Sequence, residues 1–406
     1  AAADARDALQ RARAAGVSIV PDSPTALRPQ DLAIDALLGI GARAVLDGPL
    51  FTAIEGLAGQ PCPVLAIDLP SGLDADTGHT LGACVRADHV LSLLTLKPGL
   101  FTAQGRDQAT EVWLDSLGID LSSESPQAWL GGAQASAAPR RRHAQHKGSF
   151  GDVAVVGGAP GMAGAALLAG RAAQAAGAGR VYVELLDPRA ATVDMLRPEL
   201  MLRHEWVAHA GPDTLKHATV VCGCGGGEAV RAALPRLLAH AARLVLDADA
   251  LNLVAIDDML RQQLRQRAGR RLATLITPHP LEAARMLGRG SAEVQADRLH
   301  AAQELAISLD CVVVLKGSGT VIAAPGRTPR INASGNASLA TAGTGDVLAG
   351  WLGGHWAQRT EAGPAQRAWQ AAIHATWLHG FAADEAALPV LRAGDLIERM
   401  AASAAR

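Results

Sequence analysis

Short β-branched runs alternate with alanine-rich helical stretches along the whole chain, at residues 32–37, 64–69, 89–95, 153–156, 181–185, 244–246, 272–277 and 312–315. A short, continuously apolar run is what a strand buried on both faces requires, and a helix between two such runs lets them lie parallel. The expected architecture is α/β. With 406 residues and 49% hydrophobic content, the chain is long enough for two domains. Residues 122–139 break the alternation with SSESPQAWLGGAQASAAP, and the basic run Arg140, Arg141, Arg142 follows. The boundary is expected there, with one domain over 1–135 including the linker and a second over 136–406.

Charge and cysteine usage narrow the partners. The 37 basic and 39 acidic residues give a formal charge of -2, with no excess that would favour nucleic acid or an anionic membrane. The basic triplet reads as solvated surface. Cys62, Cys84, Cys222, Cys224 and Cys311 lack CxxC spacing and form no disulfide framework, which suits a reducing cytoplasm. No apolar run reaches membrane-spanning length, and the charged, alanine-rich opening AAADARDALQRARAAG lacks a secretory core. Small-molecule partners are expected, in a cytoplasmic homo-oligomer. The first residue is Ala1 rather than Met, which suggests a start inside a longer gene product.

In open parallel sheets, ligands bind beyond the carboxyl ends of the strands, so the residues after each run are the candidates. After 153–156 comes GGAPGMAGAALLAG, with Glu184 ending the next strand. The spacing Gly158-x-x-Gly161-x-x-Gly164, with Pro160 inside, does not meet the dinucleotide fingerprint, so a hydride-transfer site is not expected. Cys222 to Gly227 reads CGCGGG, either a backbone surface for a flat ligand or a flexible loop. Asp249 reads as a helix cap, and Asp247 as a residue able to orient a ligand or a metal-bound water. Pro278 and Pro280 stiffen the loop holding His279, a binding wall or a surface turn. Lys316-Gly317-Ser318-Gly319-Thr320 is either a nucleotide-facing turn or a hairpin.

The chemistry concentrates in Gly343-Thr344-Gly345-Asp346, directly before the apolar helical run Val347, Leu348, Trp351, Leu352. Glycines let backbone N–H groups turn toward a ligand, and a helix start adds unpaired donors and a positive dipole end. Such a place attracts phosphate, and Asp346 beside it can take a proton from a hydroxyl. The alternative is an N-cap made by Thr344 or Asp346.

Taken in order, HKGSFG, VVGGAPGMAGAALLAG, CGCGGG, LDADALN, TPHPLEAARML, VVVLKGSGTVIAAP and SGNASLATAGTGDVLAG closely resemble the ADP-dependent NAD(P)H-hydrate dehydratase family, from about residue 139 to 406. The resemblance implies a ribokinase-like three-layer α/β/α domain that converts (6S)-NADH or NADPH hydrate to the reduced nucleotide. Upstream, DALLGIG from Asp35, AIDLPSGLDADTG from Ala66, Lys97-Pro98-Gly99-Leu100 and Gly105-Arg106-Asp107 are similar to the later half of the NAD(P)H-hydrate epimerase domain, implying a partial Rossmann-like unit. The pairing resembles the bifunctional nicotinamide-nucleotide repair family.

By matching motif, the resemblance implies that Lys316, Gly317, Ser318, Gly319, Thr320 and Gly345 contact ADP. Ala165, Gly225, His279 and Asp346 would surround the hydrated nicotinamide, with Asp346 the catalytic base. In the first domain, Gly39, Ile40, Gly41, Ala42, Arg43, Ala44, Val45 and Asp68 would line substrate, while Asp35 and Ser71 would hold K+. Mg2+ would accompany the diphosphate, without a protein cage to hold it. The chain departs from the family in GCGGG where GPGLG is usual, and in Ala337-Ser338-Leu339 where proline-glycine-methionine is usual. No NNGGDG-like loop precedes Asp35, so dehydration is the expected activity and epimerisation is not expected of this chain. An ATP-dependent small-molecule kinase and a non-catalytic nucleotide-binding scaffold are the alternatives.

Overall fold

The computed structural model describes residues 3–20, 27–41, 46–132, 141–360 and 363–404. Two compact units emerge, one of Ala1–Leu100 with Asp107–Asp120 and one of Phe101–Arg106 with Leu121–Arg406. The first contains a four-stranded parallel sheet in chain order, β1 (Ala33–Asp35), β2 (Val64–Ile67), β3 (Ala87–Leu93) and β4 (Ala109–Asp115). Its helix Gly48–Ala58 buries Ile54, whereas the charged helix Ala3–Ala14 buries no residue. This unit is Rossmann-like α/β, as expected.

The second unit has a ten-stranded sheet. Its members are β5 (Trp129–Gly131), β6 (Asp152–Gly157), β7 (Arg180–Leu185), β8 (Met201–Leu202), β9 (Thr219–Cys222), β10 (Arg243–Leu246), β11 (Ala273–Ile276), β12 (Val312–Leu315), β13 (Val321–Ala323) and β14 (Arg330–Asn332). Their order is β5-β14-β13-β12-β11-β10-β9-β6-β7-β8, and only the pairings of β13 with its two neighbours are antiparallel among the described residues. β5 arises inside the stretch that reads as a linker, and it pairs in register with β14, Leu130 beside Ile331.

Side chains alternate across the sheet, which explains why its central strands are apolar throughout. Val153 and Val155 of β6 face one layer, with the helices Ala163–Ala175, Thr344–Ala357, Pro364–Ala386 and Ala393–Ala404. Ala154 and Val156 face the other, with the helices Leu234–His240, Asp249–Ile256, Pro280–Leu287 and Arg298–Leu309. The result is the three-layer α/β/α arrangement anticipated from the sequence. Trp351 and Trp356 are buried in the first layer, and truncation of either to alanine would cost about 3–5 kcal/mol.

Strand order reverses direction where β6 lies beside β9, because β6 leads outward to β7 while β9 leads to β10. The loops leaving a sheet at such a point diverge and open a crevice. Here the loops after β6 and β9 are nonetheless tied at their roots, since Gly158 and Ala159 donate their N–H groups to the carbonyls of Cys224 and Gly225 at 3.0 and 2.7 Å.

Candidate active site

The helix Thr344–Ala357 begins at Gly343, whose φ of +91° is left-handed and suits glycine. Neither Thr344 nor Asp346 caps this helix, so that alternative is not realised. The Thr344 hydroxyl instead donates back to the carbonyls of Leu339 and Thr341 at 2.8 and 2.9 Å, which fastens the turn. On its other side, His379 Nε2 donates to the Thr344 carbonyl at 2.9 Å. Burial holds the His379 pKa down to about 4, so the ring is neutral. The Gly345 and Asp346 N–H groups have no protein acceptor among the described residues, which leaves an anion-binding helix start.

Asp346 is half-buried in the first turn of that helix. Burial, then the negative charge of Asp247, push its carboxyl pKa up to about 6, while the Cys224 thiol and the Lys316 ammonium act in the opposite direction. A carboxylate tuned this way accepts a proton near neutral pH.

Asp247 follows β10 and is 2% exposed. Its Oδ1 accepts hydrogen bonds from the Thr277 hydroxyl after β11 and from Lys316 Nζ after β12, both at 2.7 Å. Burial lowers the Lys316 pKa, but the Asp247 and Glu282 carboxylates outweigh it, so the ammonium stays charged. That charge reaches the helix start: a Cβ built on Gly345 would lie 3.4 Å from Lys316 Nζ. Acceptor atoms of Cys224, Asp247 and Asp346 lie within 4.8 Å of one another. A soft thiol and an ammonium already seated on Asp247 do not suit a hard divalent ion, so this cluster is not the cage of a Mg2+ site.

Asp249 differs from its expected role. It lies one residue inside the helix Asp249–Ile256, with Ala248 at the N-cap, and its Oδ2 accepts the Gly227 N–H at 2.8 Å. The carboxylate therefore pins the CGCGGG loop instead of capping a helix. Glu184 is buried and accepts the Val207 N–H at 2.9 Å, a structural use.

Lys316 to Thr320 is both a hairpin and a turn at the mouth of the sheet, joining β12 to β13. The Lys316 N–H donates to the Pro278 carbonyl at 2.9 Å, which joins this turn to the TPHP loop. Arg298, buried, donates to the carbonyls of Leu315 and Lys316 at 3.3 and 3.2 Å and lies where a Gly317 side chain would stand. Ser318 donates its hydroxyl to the Ala103 carbonyl at 2.7 Å, and a Cβ on Gly319 would come within 1.9 Å of the Phe101 carbonyl. The turn thus rests on Phe101–Arg106, which belongs to the same unit.

His279 caps the helix Pro280–Leu287 in a reciprocal box: its Nδ1 accepts the Leu281 N–H at 3.1 Å, and its own N–H donates to Glu282 at 2.8 Å. Its ring remains 45% exposed, and Nε2 faces buried Glu282 at 3.2 Å. Burial would raise the Glu282 pKa, yet His279 and Lys316 keep it below its ordinary value. Ala165 and Gly225 do meet, since a Cβ on Gly225 would be 2.9 Å from the Ala165 Cβ. Gly225 has φ +56°, so glycine is needed there for both conformation and space.

In the first unit, Asp35 accepts the Ser71 N–H at 2.7 Å, the Ser71 hydroxyl at 2.6 Å and the Leu37 N–H at 3.3 Å. These are hard oxygen ligands of the type a potassium ion takes, but they are already engaged with one another. Asp68, at φ +75°, forms an ion pair with Lys97 and accepts the Leu93 N–H at 3.1 Å. Gly39 stands next to it, a built Cβ lying 3.8 Å from Asp68 Oδ2. Ile40 and Gly41 are exposed, and Ala42, Arg43, Ala44 and Val45 lie outside the described residues.

This geometry has relatives. A match to the NAD(P)H-hydrate dehydratase family covers residues 153–401, and a match to the YjeF-related protein N-terminus covers residues 1–99. The Bifunctional NAD(P)H-hydrate repair enzyme Nnr of Escherichia coli K12 is 38% identical over 369 residues, 87% of this chain and 67% of its own. That of Coxiella burnetii is 34% identical, covering 95% of this chain and 77% of its own. The chain belongs to the bifunctional NAD(P)H-hydrate repair enzyme family. Its second unit resembles the solved ADP/ATP-dependent NAD(P)H-hydrate dehydratase of Bacillus subtilis co-crystallised with ATP and Mg2+, at 28% identity and a TM-score of 0.50, over 65% of this chain and 92% of that one. A ribokinase-like protein of Enterococcus faecalis, at 24% identity and a TM-score of 0.55 over 66% of this chain and 92% of that one, shares the fold.

Within this repair-family fold, sequence reasoning did not find Glu282, Arg298, Thr277 or His379. The His279-Pro280-x-Glu282 spacing carries a capping signal that would have exposed Glu282. The others have no local signature, because each works through a partner that only the folded sheet brings near.

Proposed function

We propose that this chain removes water from hydrated NADH and NADPH, with ADP as the phosphoryl donor and Asp346 as the general base. The observation that carries this reading is the half-buried Asp346 carboxylate, raised to about 6, at a helix start with free N–H donors and the Lys316 ammonium beside it. Hydration of the ring leaves a hydroxyl on the carbon next to the ring nitrogen, and hydroxide is a poor leaving group. Asp346 takes the hydroxyl proton as the oxygen attacks the terminal phosphorus of ADP, and AMP departs. The Gly345 and Asp346 N–H groups and Lys316 stabilise the charge on the transferring group. The ring-nitrogen electron pair then expels phosphate, and the dihydropyridine is restored.

Lys316 and the 316–320 turn would hold the diphosphate, and Ala165, Gly225 and His279 the nicotinamide. A divalent ion bound through the diphosphate would offset its charge, and no protein cage is required for that. Support comes from the names of relatives: the Neisseria meningitidis protein called ADP-dependent (S)-NAD(P)H-hydrate dehydratase is 41% identical over 247 residues, 60% of this chain and 80% of its own.

Purified chain incubated with equilibrated hydrate epimers and ADP should restore the reduced-nicotinamide absorbance and release AMP and phosphate in equal amounts. A stable phosphorylated alcohol in place of that recovery would support the kinase instead. Nucleotide binding without turnover would leave the scaffold.

A further inference from the structure

We propose that Cys224 is a positioning residue for Asp346: its protonated thiol, held beside the carboxylate, turns its S–H dipole toward that group, aims it and favours its ionised form. This deepens the assignment of Asp346 as the base and rests on it. Cys224 Sγ lies within 4.8 Å of one carboxylate oxygen each of Asp346 and Asp247, where the chain leaving β9 and β10 meets the start of the Thr344–Ala357 helix. The residue is completely buried. Its main chain cannot shift easily, because its carbonyl accepts the Gly158 N–H at 3.0 Å and sits 2.2 Å from where a Gly157 side chain would start. Gly223 and Gly225 on either side adopt φ of +120° and +56°. The thiol is therefore delivered to the carboxylate by a loop that glycines shape and β6 clamps.

The surrounding charges explain why a weak donor matters here. Asp346 faces the like charges of Asp247 and Asp249, and the one cation in the group, Lys316, is already hydrogen-bonded to Asp247. Glu282 draws on the same ammonium, and neutral His379 is occupied with the Thr344 carbonyl. Burial and the neighbouring Asp346 and Asp247 carboxylates raise the Cys224 pKa well above its usual range, so sulfur keeps its proton and remains a donor, not a nucleophile. Removing this donor leaves the like charges unopposed on that side and shifts Asp346 toward its protonated form.

The test is kcat/KM against pH for the full chain carrying Cys224→Ala and Cys224→Ser, with hydrate and ADP. In the alanine variant the acid limb should move up by about 0.5–1 pH unit, with a loss of roughly 3–10-fold on that limb and under about 2-fold at alkaline pH. Serine, a donor of similar size, should return the limb to the wild-type position or below it. Superimposable wild-type and alanine profiles would overturn the proposal, and so would an equal loss at every pH, which is the mark of packing alone. In the wild-type chain, the S–H infrared band that Cys224→Ser removes should shift as Asp346 ionises; a band that stays put overturns the proposal even if the alanine variant does not fold. Failure of the base assignment is separately visible, as undiminished turnover in Asp346→Asn.

Discussion

Both units gather aspartates, Asp35 and Asp68 at strand ends in the first and Asp346 at a helix start in the second, but the two sets live in opposite surroundings. Asp35 takes three hydrogen bonds from Ser71 and Leu37, and Asp68 is matched with Lys97. Asp346 has two carboxylates nearby, a lysine already engaged with one of them, and a thiol. Elementary electrostatics accounts for Asp346: a buried carboxylate set among like charges becomes a proton acceptor close to neutral pH. The comparison teaches that reactivity here follows from what a carboxylate lacks.

The largest effect that could break this contrast is on turnover. Asp346→Asn should lower kcat by roughly 10²–10⁴-fold while calorimetry shows ADP binding retained, and near-normal kcat would remove the residue from its role. Next, Asp68→Asn would strand the largely buried Lys97 without its counter-charge; chemical denaturation should show the first unit weakened by about 2–3 kcal/mol, with the dehydration pH profile unchanged. A shifted profile would show that the first unit's charges matter to the second unit's chemistry. Asp247→Asn removes a like charge from Asp346, so the acid limb should move to lower pH, with a loss of about 10-fold at neutral pH from a weaker base and an untethered Lys316. An upward shift of the limb would contradict the electrostatic account.

The smallest effect concerns stability. Asp346 binds its proton more tightly when folded, at about 6, than at its ordinary 3.8. The native state therefore has the full benefit of this proton below about pH 4 and loses it as pH rises through about 6. Asp346→Asn, which cannot ionise, should raise stability at pH 8 by about 1–3 kcal/mol, with the gain vanishing below about pH 4. Thermal melts at the two pH values distinguish this from a uniform change in packing.

The parts of the fold visible in the sequence were those fixed by local chemistry. All eight apolar runs contain strands, and GTGD could be placed at a helix start because Gly343 supplies a backbone conformation that other residues avoid. Strand β4 escaped notice because its ATEVWLD is largely solvent-facing, and β5 and β8 are only three and two residues long. Such edges exist through pairing with a neighbour, not through their own composition. The Asp247–Lys316 bond spans 69 residues, and Cys224 comes near Asp346 only because the Thr344–Ala357 helix packs on β9. His279 was legible as a stiff polar group, while its role as a cap rested on Glu282 three residues on, a signal in the sequence that went unread.

One packing detail governs how the site can respond to a ligand. Gly350 and Gly354 bring the Thr344–Ala357 helix so near the Ala163–Ala175 helix that added Cβ atoms would lie 2.0 and 2.2 Å from the Ala169 and Ala173 carbonyls. Asp346, the proposed base, and Ala165 are therefore carried on two rods in main-chain contact, whose spacing neither rod can change alone. In the proposed reaction, the placement of the proton acceptor relative to Ala165 is thus inherited from backbone packing and not from side-chain choice.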